Sequence, residues 1–155
     1  LRGGAKLVHS VDSSGKAIES TDRNVKANFP EAANHQSFAE DAFKFLNSST
    51  EKYNLIILDP PAFAKHRDAV RNALKGYKRL NMKALQIIEP DSILFTFSCS
   101  KVITKDQFRL AVFSAAAEAK RNVRILHQLT QPADHPINIY HPEGEYLKGL
   151  VLYVE

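Results

Sequence analysis

A carboxylate followed by two prolines ends an apolar run of the chain. The segment LDPPAFAK starts at Leu58, and four consecutive apolar residues run directly into Asp59. Prolines stop strands and an aspartate can fix a turn, so a purely structural interpretation is open. A rigid Pro60–Pro61 ledge beside a charged group can also hold a planar base, with Phe63 as a stacking surface. Packing in the core is the alternative role of Phe63.

Three other strand-like segments also end in a carboxylate or a thiol. These end groups are Asp12, the pair Glu40 and Asp41, and Cys99. In open parallel sheets, ligands bind beyond the carboxyl ends of the strands, and a carboxylate there can accept hydrogen bonds from both hydroxyls of a ribose. Asp41 at a helix start is either a helix cap or a contact to an adenine amino group. We therefore expect the four groups at one rim of a sheet.

Alternating strands and helices must position these groups. The predicted strands cover 6–12, 35–40, 53–59, 92–98, 122–129 and 147–155, and the predicted helices cover 14–29, 41–47, 67–89 and 105–121. This order predicts an α/β fold with a largely parallel sheet. The near-continuous apolar strands 53–59 and 92–98 are typical of strands that are covered on both faces.

Composition indicates one soluble domain of 155 residues, with 44% hydrophobic and 25% charged residues. No apolar run reaches the roughly 18 residues that span a bilayer, so no membrane contact is predicted. The single cysteine favours a reducing, cytoplasmic setting.

The net charge of +4 is unevenly distributed. Residues 61–130 hold 13 Lys or Arg and 5 Asp or Glu, while the segments on either side are net acidic. Four basic residues are spaced four apart on the predicted helix, and they form a basic stripe: Arg67, Arg71, Lys75 and Arg79. The stripe predicts phosphate contacts with a nucleic acid, and a solvated helix face is the alternative.

The motifs, taken in order, resemble those of class I S-adenosylmethionine-dependent methyltransferases. They are VDSSGKAIESTDRNVKAN, EDAFKFL, LDPPAFAK, KGYKRLNMKALQII, ILFTFSCS, ADHP and PEGEYLKGL. The greatest similarity is to bacterial large-subunit ribosomal RNA cytosine-5 methyltransferases, and it covers nearly the whole chain. It implies a Rossmann-like sheet that is mostly parallel with an antiparallel C-terminal strand. It also implies S-adenosylmethionine as cofactor, ribosomal RNA as partner and no metal.

The resemblance implies a role for individual residues. Asp12 matches the acidic residue that binds the cofactor ribose, and Asp41 matches the adenine-contacting turn. The implied cofactor-binding residues are Asp12, Ser13, Asp41, Ala42, Asp59 and Pro60. The implied catalytic residues are Cys99 and Asp59, and the residues expected to bind the RNA substrate are Pro61, Phe63, Lys65, Arg71 and Lys75. Tyr77, Lys78 and Asn81 match a recurrent segment for which the resemblance implies no role.

The implied chemistry is methylation of a cytosine at carbon 5. The thiolate of Cys99 adds to carbon 6, and Asp59 stabilises the adduct by protonation or hydrogen bonding at N3. A buried structural cysteine is the alternative role of Cys99. Ala62 stands where other RNA cytosine-5 methyltransferases have a second cysteine that helps to release product. The groups left for that step are Lys65, His66 and His135, although a loop-fixing hydrogen bond is the favoured role of His135.

Two other functions remain open from the sequence. One is methylation of a base nitrogen by an enzyme of the same fold, which requires no nucleophile. The other is a non-catalytic fragment whose basic helix docks RNA.

In the resembled family, a first strand and a glycine-rich cofactor loop precede the position of Leu1, as does an RNA-binding PUA domain. We therefore expect these residues to be the C-terminal portion of a longer enzyme. The first strand lies between the strands predicted at 6–12 and 53–59. Without it, the 155 residues are expected to associate with a second copy or to close the gap by non-native pairing, because bare strand edges are association-prone. They are also expected to bind S-adenosylmethionine weakly.

Overall fold

The computed structural model describes residues 1–155, apart from the side chain of residue 142. They form two compact units, Leu1–Thr50 and Glu51–Glu155. No helix in the described part of the chain is long and apolar enough to cross a membrane.

The first unit alternates two strands with two helices. Its elements are β1 (Val8–Asp12), α1 (Gly15–Asn28), β2 (His35–Ala39) and α2 (Ala42–Ser48). Strands β1 and β2 pair in parallel, from Val8 opposite His35 to Asp12 opposite Ala39. A helix between two paired parallel strands is the connection that such strands require. The predicted elements of this unit are confirmed.

A small aromatic cluster forms the core of the first unit. The ring of Phe38 lies 4.9 Å from that of Phe45 and 5.0 Å from that of His9. The sequence pattern predicts that α2 packs through Phe43 and Leu46. In the structure Leu46 is buried as predicted, but Phe45 is the buried phenylalanine and Phe43 is half-buried, because Phe45 faces the ring on β2.

The second unit contains a four-stranded sheet and two long helices. Its elements are β3 (Tyr53–Leu58), α3 (Val70–Ile87), β4 (Ile88–Ser98), α4 (Lys105–Ala119), β5 (Val123–Leu129) and β6 (Lys148–Val154), with 3₁₀ turns at Arg67–Ala69 and Pro142–Gly144. The strand order is β3-β4-β6-β5. Strands β3 and β4 are parallel, whereas β6 is antiparallel to both β4 and β5. The predicted α/β fold with an antiparallel C-terminal strand is confirmed.

Helices α3 and α4 bury their apolar stripes in the core of the second unit. Tyr77, Leu85 and Phe108 are almost completely buried, and the rings of Tyr77 and Phe108 meet edge to face at 5.3 Å. A reciprocal cap begins α4, because the Thr104 side chain accepts from the Gln107 amide and the Gln107 side chain accepts from the Thr104 amide. Such a capping box contributes about 1 kcal/mol.

Strand β3 departs from the predicted burial. Ile56 and Leu58 are buried, but Leu55 and Ile57 are 54% and 61% exposed. The prediction that both faces of this strand are covered is therefore wrong for the described residues, since only the face of Ile56 and Leu58 is buried. Because β3 pairs only with β4 within the described chain, it is an edge strand with apolar side chains in solvent. Association with a second copy stays a prediction.

Candidate active site

Asp59 and Cys99 lie at the same edge of the second sheet. Asp59 directly follows β3 and Cys99 directly follows β4, and these two strands are parallel neighbours. The Cys99 thiol is half-buried and its Sγ lies 3.9 Å from the carbonyl oxygen of Pro60. The exposed Asp59 carboxylate makes no hydrogen bond to any described residue, so it is available to a ligand. The structure thus brings the double proline, the carboxylate and the thiol to one place.

Ser100 connects the loop that follows β4 to the double-proline loop that follows β3. Its hydroxyl oxygen accepts a hydrogen bond from the Ala64 amide at 3.3 Å and lies 2.9 Å from the Tyr77 hydroxyl. Its carbonyl oxygen accepts a hydrogen bond from Lys148 Nζ at 2.6 Å. Because Ser100 and Ala64 are buried, these bonds are shielded from water. The position of the loop that carries Cys99 is therefore set by neighbours in the loop after β3, on α3 and on β6.

Tyr77 is the centre of the support beneath the double-proline loop. Its ring stacks on Phe63 with centroids 4.6 Å apart, and it is completely buried. Gly76 permits this approach, because a Cβ at that position would lie 3.0 Å from the Phe63 ring. Asn81 donates to the Tyr77 carbonyl at 2.9 Å. The segment of Tyr77 and Asn81, to which the sequence resemblance assigned no role, therefore holds the loop.

The residues predicted to bind the target base occupy this loop with different exposures. Phe63 is half-buried and packs on Tyr77, so the predicted alternative of core packing describes one of its faces. Pro61 and Lys65 are exposed. Contact of Pro61, Phe63 and Lys65 with a base stays a prediction.

The carboxylates of the first unit lie at the carboxyl ends of β1 and β2. The Glu40 amide donates to the carbonyl of Asp12 at 3.0 Å, which joins the two strand ends. One carboxylate oxygen of Asp12 accepts from the Ser14 amide at 2.7 Å. Its second oxygen has no hydrogen bond among the described residues, and the adjacent Ser13 is exposed. The Asp12 carboxylate can therefore accept hydrogen bonds from the hydroxyls of a ribose.

Asp41 is a helix cap, as one of its two predicted roles requires. Its carboxylate accepts from the Lys44 amide at 3.0 Å and precedes α2, which begins at the exposed Ala42. The adenine contact predicted for Asp41 and Ala42 stays a prediction.

The basic stripe is exposed along its whole length, but it is not one continuous α-helical face. Arg67 lies in a 3₁₀ turn, and Arg71, Lys75 and Arg79 lie on α3. The neighbouring Lys78 is not part of the stripe, and its charge is paired with Glu118 on α4. Among the described residues, Arg71 and Lys75 have no ion pair, which leaves their charges available to a phosphate.

Lys148 is a feature of the site that sequence reasoning missed. It begins β6 opposite Ser98, and only 7% of it is exposed. Burial lowers the pKa of its ammonium group from the ordinary value, and Lys105 lowers it further, while the charges of Cys99 and Glu145 act in the opposite direction. A single lysine at a strand start is ordinarily solvated. The one signal in the sequence is its place inside the apolar run LKGLVLYV.

A cavity of about 150 Å³ reaches Lys148 from the side of α4. Its wall includes Lys105, Arg109, Gln128 and Thr130. Asp59 and Cys99 do not line it, so it is not the site described above.

No protein-family model matches the chain. The chain is similar to curated proteins named ribosomal RNA large subunit methyltransferase I. It is 43% identical to the protein from Tolumonas auensis and 41% identical to the protein from Aeromonas salmonicida, in each case over 98% of the chain and 39% of the relative. The chain therefore spans about two fifths of the length of the curated relatives that it matches.

Solved structures share the fold. One is a protein described as a methyltransferase in complex with SAH, with a TM-score of 0.81 and 26% identity over 97% of this chain and 40% of that one. Another, from Streptococcus mutans, is described as SAM-dependent and has a TM-score of 0.80 and 24% identity over 97% of this chain and 39% of that one. The resemblance to large-subunit ribosomal RNA methyltransferases is thus confirmed, and the chain has a Rossmann-like methyltransferase fold similar to part of the ribosomal RNA large subunit methyltransferases I.

Proposed function

We propose that the complete protein transfers a methyl group from S-adenosylmethionine to carbon 5 of a cytosine in ribosomal RNA, with Cys99 as the covalent nucleophile. The observation that carries this proposal is the meeting of Cys99 with the double-proline loop, where Sγ lies 3.9 Å from the Pro60 carbonyl oxygen and Asp59 is unpaired within the described chain. The names of the relatives support ribosomal RNA methylation by the whole enzyme.

The proposed cofactor ligands fit S-adenosylmethionine by their chemistry. They are Asp12, Ser13, Asp41, Ala42, Asp59 and Pro60. The free carboxylate oxygen of Asp12 suits the ribose hydroxyls, and the first turn of α2 suits the adenine edge. When bound, S-adenosylmethionine supplies an electrophilic methyl group, which carbon 5 of the activated cytosine accepts.

Residues of the second unit activate the cytosine for methylation. Carbon 5 of cytosine is a weak nucleophile until the Cys99 thiolate forms a bond to carbon 6. Asp59 is placed to stabilise this adduct by protonation or hydrogen bonding at N3, which offsets the negative charge that the ring takes up with the electron pair. After methylation a base removes the carbon 5 proton, the bond between Sγ and carbon 6 breaks, and the proton at N3 is lost. The target base must leave its stack to reach this site.

Analysis of the methylated nucleoside tests the proposal directly. When the complete protein is incubated with unmodified ribosomal RNA and labelled S-adenosylmethionine, we expect the label in 5-methylcytidine, identified by chromatography and mass spectrometry of the digested RNA. Label in an N-methylated nucleoside would instead establish the alternative in which no nucleophile is needed. If the protein binds RNA and cofactor but no label enters the RNA, both cytosine-5 methylation and base-nitrogen methylation are contradicted.

We further infer that the basic stripe binds the RNA backbone. Lys65 and the stripe begin directly after the double-proline loop and are exposed, which suits contacts with the phosphates that flank a flipped base. A target base held at Pro61 and Phe63 requires such flanking contacts to fix its strand.

Reversing Arg71 and Lys75 to glutamate should weaken RNA binding and flatten its salt dependence. We expect the slope of log K against log salt to fall by about one unit for each phosphate contact that is lost. The measurement is RNA affinity of the complete protein at several salt concentrations. The matched control is Lys16→Glu with Lys26→Glu on α1, which changes the net charge equally at two exposed sites. An equal effect of both pairs would show that the stripe is only a solvated face.

A further inference from the structure

Lys148 contacts the residues on either side of Cys99, the proposed nucleophile. It pairs with Ser98 across the β4–β6 ladder, and its Nζ donates to the Ser100 carbonyl at 2.6 Å. Cys99 is the residue between these two contacts. Lys148 therefore contacts the residues on both sides of Cys99, and these contacts join the start of β6 to the end of the neighbouring strand β4.

The ammonium of Lys148 is buried without a carboxylate that bonds to it in the described chain. Glu145 is the carboxylate whose charge acts on Lys148, and Glu145 already pairs with the exposed Lys105. The charged and titratable groups around Lys148 are Cys99, Lys105, Glu145, Asp106 and Arg109. Burial is the largest influence on its pKa, which is lowered, because a desolvated ammonium is costly. Such a charge is retained in a core when a negative partner offsets the cost.

We infer that the thiolate form of Cys99 is that partner, and that Lys148 is a positioning residue that keeps this thiol nucleophilic. The hydrogen bond to Ser100 holds the loop, and the positive charge stabilises the thiolate through the low-dielectric interior. This inference rests on the proposed nucleophilic role of Cys99. The inference adds Lys148, which contacts the loop of Cys99 from β6 and acts without touching the base.

Three substitutions separate the charge from the tether. Lys148→Gln removes the charge and keeps an N–H donor for the Ser100 carbonyl. Lys148→Arg keeps both the charge and the donor. Lys105→Met removes an exposed lysine that lies near the same region, and it serves as the control for a general change in local charge.

Alkylation of Cys99 by iodoacetamide reports on the thiolate and requires neither RNA nor cofactor. The rate is followed by mass spectrometry of the peptide that contains Cys99, between about pH 6 and about pH 10. For Lys148→Gln we expect the rate at neutral pH to fall about tenfold and the pH profile to move upward by about one unit. Lys148→Arg should retain the parental profile, and Lys105→Met should change the rate by less than about twofold.

Each control has a decisive outcome. In denaturant all variants must react alike, and circular dichroism must show the parental fold. If Lys148→Gln does not fold, Lys148→Arg decides, because a profile that moves upward although the charge is kept contradicts the inference. A folded Lys148→Gln with the parental pH profile overturns it. Methylation by Cys99→Ala tests the proposed function separately. If Cys99 is not the nucleophile, Cys99→Ala still methylates RNA, whereas if Lys148 has no effect on the thiol, Lys148→Gln keeps the parental alkylation profile.

Discussion

Replacing Cys99 by alanine in the complete protein should abolish methylation of ribosomal RNA and leave cofactor binding unchanged. The covalent step has no substitute once the sulfur is removed, so we expect a loss of about a thousandfold or more in the turnover rate. The variant should fold, because the thiol is half-buried and its one described polar contact is the long interaction with the Pro60 carbonyl. A substitution of this kind costs about 1 kcal/mol.

The assay measures transfer of label from S-adenosylmethionine to ribosomal RNA, with cofactor binding followed by titration calorimetry. Cys99→Ser is the companion variant, since it keeps the size of the side chain and supplies a much weaker nucleophile. The matched control is Ser114→Ala on α4, which removes a hydroxyl far along the helix from the loop. Parental activity of Cys99→Ala would refute the covalent mechanism and favour methylation of a base nitrogen.

The strands that carry the site were predictable because their signals are local. An apolar run followed by Asp59 or by Cys99 indicates a buried strand and its end, and both ends are found where the sequence predicts them. The caps of α1 and α2 are equally local, since Ser14 and Asp41 bond to amides three residues away. Parallel pairing of β3 and β4 then follows from the helix between them.

The support of the site was not predictable, because it depends on contacts between distant segments. Tyr77 meets Ser100 across 23 residues, and Lys148 meets Ser100 across 48. The types of these residues do not indicate such partners. The same limit explains the error at β3, where an apolar strand was expected to be covered on both faces although burial depends on neighbours from elsewhere. Local pattern therefore indicates where Asp59 and Cys99 lie, and tertiary contacts reveal what holds the loops that carry them.

Tyr77 offers the sharpest test of that support, because its ring and its hydroxyl have separable tasks. Tyr77→Ala should lower the free energy of unfolding by about 3–5 kcal/mol, since it removes a fully buried ring between Phe63 and Phe108. This is a large share of the roughly 5–15 kcal/mol that stabilises a typical domain. Urea unfolding of this chain, followed by circular dichroism, measures the change. Tyr140→Ala is the matched control, because Tyr140 is 86% exposed and its loss should cost no more than about 0.5 kcal/mol.

Tyr77→Phe keeps the ring and removes only the bond to the Ser100 hydroxyl. Its cost in stability should be about 1 kcal/mol, because the Ser100 hydroxyl still accepts from the Ala64 amide. The effect on methylation should be larger, roughly tenfold in turnover rate, since the loop of Cys99 then loses one of its attachments and small displacements of a reacting group are costly. A variant that loses stability but no activity would show that the hydroxyl serves the fold alone. Activity lost beyond the small loss of stability would show that the position of Cys99 depends on a residue that lies beneath the loop and away from the base.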